Sequence, residues 1–218
     1  MEVLTVPQHD PITALITAVE QADSAEKLVL AVQQLAACRR PEAIPTLTTV
    51  LRYNNPGAAV AAVDGLIALG ETVTAYLLEH LDGYNYGARA WAIRVFAGIG
   101  DPRALDLLID AAKNDFALSV RRAAAKGLGQ LRWSALSPEQ ASIAQQQVLD
   151  TLGQVALDGE WVVRYAAIAG LQSLALSAEG LKMTVYQQLQ ALKTQESEAI
   201  VLARIAWALQ QIDQSDPV

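Results

Sequence analysis

Histidine and cysteine, the side chains most used for zinc binding and for activated nucleophiles, are scarce in this sequence. It holds two histidines, His9 and His80, and one cysteine, Cys38. None stands from another at the spacing of a metal-binding set or of a nucleophile and its base. Cys38 follows Ala36-Ala37 at the end of an apolar segment, which predicts a small, buried or half-buried residue and not a reactive thiol. His80, in YLLEHL (76–81), reads as a surface or cap residue. GLGQL (127–131) follows no strand pattern, so it is not a phosphate-binding loop. Hydrolytic and metal-assisted chemistry are therefore poorly supported. The remaining candidates are cationic and aromatic side chains, which recognise carboxylates and planar rings.

The elements that must position those side chains are helices. Of 218 residues, 52% are hydrophobic and 18% charged, so the chain packs a core and is not disordered. Ala occurs 39 times, aromatics are few, and no alternating strand of useful length is present, which predicts an all-α fold. A net charge of −7 and an isoelectric point near 4.8 argue against nucleic acid as a partner. Apolar stretches are broken by charged or amide residues well before 18 positions, which excludes membrane insertion as a helix. The opening MEVLTVPQHD reads as no signal peptide, and a lone cysteine fits a reducing cytoplasm.

Repetition organises the helices. The segments LVLAVQQLAAC (28–38), AVAAVDGLIAL (59–69), RAWAIRVFAGI (89–99), RRAAAKGLGQL (121–131), RYAAIAGLQSL (164–174) and LARIAWALQQI (202–212) align. Each has a hydrophobic residue at its eighth place: Leu35, Leu66, Phe96, Leu128, Leu171 and Leu209, at intervals of 31, 30, 32, 43 and 38 residues. Second amphipathic stretches lie between them, at 44–51, 102–112 and 183–192. A two-helix unit at that period predicts a helical solenoid. Start and stop signals agree with it. Asp101-Pro102 and Ser137-Pro138 open helices, with Gln140 placed for a capping box. Pro41 opens a helix that Pro45 is expected to kink, and Gly70 and Gly100 close two repeated helices. The long fourth interval predicts a loop and an extended helix around 133–147.

Three arginines, Arg89, Arg121 and Arg164, stand seven residues before the hydrophobic marker. Asp115 and Asp158 precede Arg121 and Arg164 by six residues, and Asp82 precedes Arg89 by seven. This D-x5-R with a following A-A and G-L resembles the HEAT repeat. The resemblance implies one right-handed α-α superhelix over residues 1–218, crescent-shaped, with five to six repeats. It also implies that Arg89, Arg121, Arg164, Asp115 and Asp158 form a structural ladder between repeats, Arg121 facing Asp115.

The string GYNYGARAWAIRVFAGIGDPRALDLLIDAAKNDFALSVRRAAAKGLGQLRW (83–133) is similar to the repeat of phycobilisome bilin lyases, and the whole chain resembles the F subunits of the E/F-type phycocyanobilin lyases. That resemblance implies a cyanobacterial cytoplasmic subunit that pairs with an E-type lyase subunit. The pair attaches phycocyanobilin to a cysteine of the phycocyanin α subunit as a thioether. The pigment is substrate, and no cofactor is implied. The nucleophile belongs to the acceptor, so the lyase's task is to hold the tetrapyrrole in one face and conformation. A non-enzymatic adaptor that grips phycobiliproteins is the alternative function, and a pigment-free protein-binding solenoid is a third.

In HEAT-like solenoids the second helix of each unit lines the concave surface. With Val120, Ala123, Ala124, Leu128 and Leu131 inward, Arg122 and Lys126 share the opposite stripe. Matching positions give an expected bilin-binding stripe of Asp64, Arg94, Arg122, Lys126, Tyr165 and Trp207, basic in the middle and aromatic toward the C-terminus. Propionates suit the cations and pyrrole rings suit the aromatics. A solvated helix face is the alternative. Trp91 and Trp161 read as core or repeat-junction residues. The apolar N-terminal stretch, which lacks the D-x5-R frame, reads as a cap or a docking surface.

Overall fold

Alanine-rich segments that end in Gly or Pro should form short, tightly packed helices, and they do. In the computed structural model, which describes residues 10–80 and 86–215, twelve α-helices and no strand occur among the described residues. They are α1 (Pro11–Glu20), α2 (Ala25–Ala37), α3 (Ile44–Val50), α4 (Pro56–Leu69), α5 (Glu71–His80), α6 (Tyr86–Ile99), α7 (Leu105–Asn114), α8 (Leu118–Leu128), α9 (Pro138–Val155), α10 (Trp161–Ser177), α11 (Lys182–Gln195) and α12 (Ala199–Gln214). Each even-numbered helix carries one of the six aligned segments. All six hydrophobic markers are buried. His9, Asp82 and Tyr84 lie outside the described residues.

The helices gather into two compact units, Met1–Val95 and Phe96–Val218, divided within α6. In the first, α1 packs on α2, and α4 is covered by α2, α3 and α5. Asp10 caps α1 by accepting from the Ile12 N–H at 3.2 Å, and both its oxygens take the Arg40 guanidinium at 2.6 and 2.9 Å. In the second unit α10 is central, packed against α8, α9, α11 and α12.

Local signals act much as their chemistry dictates. Ser137 and Gln140 form the capping box of α9, whose 18 residues account for the long interval. Gly70 and Gly100 end α4 and α6 at φ 71° and 68°, a region that L side chains rarely adopt. Pro45 does not kink a helix. The chain makes one 3-10 turn at Pro41–Ala43 and starts α3 afresh, so Pro45 falls in a first turn where no backbone donor is needed.

Small residues just before the marker set how closely the repeated helices approach. A methyl added to Gly127 would lie 2.5 Å from the Ala97 Cβ and 2.7 Å from its Cα. Gly65 meets the Ala36 Cβ at 2.5 Å in the same way, and Gly170 meets the Ala125 carbonyl oxygen at 2.6 Å. The obstruction at Ala97 includes backbone, which cannot rotate away. Gly127→Val is therefore expected to cost about 1–3 kcal/mol by overpacking. A thermal melt should register that as a loss of roughly 2–12 °C for a chain of this size.

Candidate functional site

The starts of α8 and α10 carry charge in a repeated pattern. Arg121, at the start of α8, donates from Nε and Nη2 to Asp158 at 2.8 and 3.3 Å. Its Nη1 donates to the backbone carbonyls of Asp115 and Phe116 at 2.9 and 3.2 Å. Arg164 on α10 repeats the arrangement, giving Nε and Nη2 to Glu196 at 2.7 and 2.9 Å and Nη1 to the carbonyls of Asp158 and Gly159 at 3.0 and 3.2 Å. Each arginine thus grips the acid of the following repeat and two backbone carbonyls of its own. The expectation that Arg121 faces the Asp115 carboxylate is corrected in this respect. The Asp115 Oδ1 accepts the Ala117 N–H at 2.9 Å just before α8, and Asp158 and Glu196 accept the Glu160 and Glu198 N–H in the turns just before α10 and α12. Arg89 is half-buried on α6.

Glu196 was not among the ladder candidates, yet it occupies the acid slot, six residues before Leu202, where the arginine is missing. Arg164 holds the Glu196 carboxyl down at about 2 through their hydrogen bonds, burial opposing the shift and the Glu198 N–H adding to it. A lowered folded-state value contributes stability that is complete above the unfolded value near 4.5 and is lost as pH falls toward 2. The contribution is about 1–3 kcal/mol. Melting curves of Glu196→Gln should be lower than those of the parent at pH 7 and converge with them below pH 3.

The exposed face of the even helices holds the residues singled out for ligand contact. On α8, Val120, Ala124 and Leu128 are buried, Leu131 beyond its end is buried, and Ala123 is half-buried. Arg122 and Lys126 are exposed on the other side. Tyr165 on α10 and Trp207 on α12 are 38% and 51% exposed. The structure brings Tyr165 and Trp207 together around a residue the pattern did not select. The Cζ of Arg204 lies 5.7 Å from the centroid of Tyr165 and 4.7 Å from that of Trp207. Arg204 is only 6% exposed, and its Nη1 has no hydrogen-bond partner. Two cation–π contacts contribute about 0.5–2 kcal/mol each, against several for desolvating a charge. Burial accordingly pulls the guanidinium below its ordinary range, with Tyr165 acting in the opposite direction. The signal was legible: Arg204 stands five residues before its marker, where α8 and α10 have Ala123 and Ala166.

The other two stripe residues belong to the first unit. Asp64 is exposed on α4 and lines a groove of about 320 Å³ with Gln33, Arg39 and Val60. Arg94 is half-buried, its Cζ 4.4 Å from the ring centroid of Trp91. Trp161 is 41% exposed at the first position of α10, so it is not a core residue; a helix's first turn has no preceding turn to cover it. Cys38 is half-buried at the end of α2 with its Sγ donating to the Leu35 carbonyl at 2.8 Å. His80 is exposed, stacked on Tyr76 with centroids 4.0 Å apart, and its Nδ1 lies 2.8 Å from the Tyr76 carbonyl oxygen.

Comparison with known proteins agrees with this architecture. The HEAT-repeat family profile matches residues 74–172. A phycocyanin alpha phycocyanobilin lyase, CpcF, of Synechocystis sp. (strain PCC 6803) is 62% identical over 201 residues, covering 92% of this chain and 94% of the relative. A phycocyanobilin lyase subunit beta of Nostoc sp. (strain PCC 7120) is 50% identical over 90% of this chain and 98% of its own length. A solved complex of CpcE and CpcF of phycocyanin lyase from Nostoc sp. PCC7120 contains a chain 49% identical to this one, with TM-score 0.73 over 78% of this chain and 99% of that one. On these grounds the chain belongs to the family of phycocyanobilin lyase beta subunits, the CpcF proteins.

Proposed function

We propose that this chain is the F-type subunit of a two-subunit bilin lyase that attaches phycocyanobilin to a cysteine of the phycocyanin α subunit. The observation that carries the reading is the identity of 62% over 92% of the chain with a phycocyanin alpha phycocyanobilin lyase. The reaction is an addition: the acceptor's sulfur bonds to the ethylidene carbon of bilin ring A, the C=C π bond breaks, and the thiol proton ends on the pigment. Nothing leaves, so the enzyme needs no nucleophile or cofactor of its own. Its work is to hold the pigment in one orientation and to hydrogen-bond it as the carbon is attacked.

The exposed cations and rings of α8, α10 and α12 suit that work. In this reading Arg122 and Lys126 take bilin carboxylates and Tyr165 and Trp207 take ring faces. The E-type subunit is the partner, as in the CpcE–CpcF complex. No helix among the described residues is long and apolar enough to cross a membrane, and we place the reaction in the cytoplasm, where the acceptor thiol stays reduced. The test is co-production of the chain with its E-type partner, the phycocyanin α subunit and phycocyanobilin. Red fluorescence that survives denaturation is expected only with both subunits. In sizing experiments the two should migrate as a heterodimer, and a monodisperse single chain with full transfer activity would contradict the pairing.

A further inference from the structure

The arginine enclosed between Tyr165 and Trp207 has a property that neither packing nor the repeat explains. An arginine 94% removed from solvent, with a buried Nη1, normally meets a carboxylate, because ring faces alone return less than desolvation takes. Among the described residues no acid pairs with Arg204, and Nη1 makes no hydrogen bond. The nearest partners are two aromatic rings that are themselves half open to solvent. A cation placed behind two accessible rings is arranged for a ligand that is both anionic and planar. The fork of a guanidinium suits a carboxylate, and the flanking ring faces suit a conjugated heterocycle.

We propose that Arg204 is an anchoring residue for a propionate of the open-chain tetrapyrrole, with Tyr165 and Trp207 covering the pyrrole ring that bears it. The inference deepens the lyase reading and rests on it. It adds a residue outside the exposed stripe and gives the site a specific demand: an ionised carboxylate next to a planar ring. Arrival of that carboxylate gives the orphan donor its acceptor, so the affinity depends on the charge of the ligand and not on its colour or length. The carboxylate could instead come from an acidic side chain of the partner subunit, which predicts a different outcome below.

The experiment uses the complete complex with the E-type subunit, titrated with phycocyanobilin and with its dimethyl ester and followed by absorbance. Wild type should bind the free acid at least ten-fold more tightly than the ester. Arg204→Met keeps the apolar stem and removes an uncompensated charge, so it should melt at the same temperature or higher. It should bind the free acid at least ten-fold more weakly while leaving affinity for the ester nearly unchanged. Arg204→Lys, which keeps the charge but not the fork, should fall between. The proposal is overturned if Arg204→Met binds the free acid normally, if it melts lower with binding intact, or if it fails to assemble with the E-type subunit. The second outcome would make Arg204 a packing residue, and the third would assign its carboxylate to the partner. A wild-type complex that binds and transfers no pigment overturns the lyase reading itself; transfer by wild type with an indifferent Arg204→Met overturns the anchor alone.

Discussion

Arg121→Ala should destabilise the second unit by about 2–4 kcal/mol, because the truncation strands the Asp158 carboxylate and two backbone carbonyls at once. Both side chains of the Arg121–Asp158 pair are only 16% exposed, so water cannot replace the lost donors fully. For a chain of this length the melting temperature should fall by roughly 4–16 °C. Asp158→Ala alone should cost a similar amount, since it strands the Arg121 guanidinium and removes the acceptor of the Glu160 N–H in the turn before α10. The double variant should lose clearly less than the sum of the two, as expected for residues that share one interaction. Additive losses in urea or thermal melts would mean that the pair contributes nothing as a pair.

Arg122→Ala, one residue away, should behave in the opposite manner. Arg122 is exposed on α8 with no part in the ladder, and an exposed arginine in a helix is replaced by Ala at little cost in stability. A charge-assisted contact with a carboxylate is worth about 1.5–3 kcal/mol, which predicts roughly ten- to hundred-fold weaker pigment binding. Bilin titration of the assembled complex gives the number, and a melting curve on the same sample controls for fold loss. If Arg122→Ala handles pigment normally and Arg121→Ala loses it without melting lower, the two faces of α8 have been exchanged.

Adjacent residues with opposite surroundings show what a sequence discloses and what it hides. The helix frame was legible because its signals are local: a Gly or Ala before four of the six buried markers, Pro after a capping Asp or Ser, Gly where φ turns positive. The six even helices follow the aligned segments, each starting three residues upstream. Pro45 departs from the expected kink because a 3-10 turn lets the chain restart a helix, an option that composition does not announce. The ladder runs between repeats as expected, but the acid partner of Arg121 differs for another reason. The spacing of Asp115 and Arg121 within one repeat is visible, but the ion pair crosses to the next repeat, and that geometry arises only when α8 packs on α10.

The candidate site was legible where its residues are exposed and out of register with the core, as Arg122, Lys126, Tyr165 and Trp207 are. Arg204 escaped because it sits in a slot that the pattern assigns to the interior. Periodicity sorts positions into inside and outside, and a functional cation placed inside is read as a core position. The anomaly itself was the signal: a long charged side chain where neighbouring repeats keep alanine.

The central claim is that this chain completes a lyase. Purified phycocyanin α subunit is incubated with phycocyanobilin and the E-type subunit, with and without this chain, then denatured and digested, and its cysteine peptide is weighed by mass spectrometry. The expected result is a single peptide heavier by one phycocyanobilin, with no lost atoms, formed in quantity only when both subunits are present. Equal yield of that adduct without this chain, or pigment that washes away on denaturation with both subunits present, would contradict it.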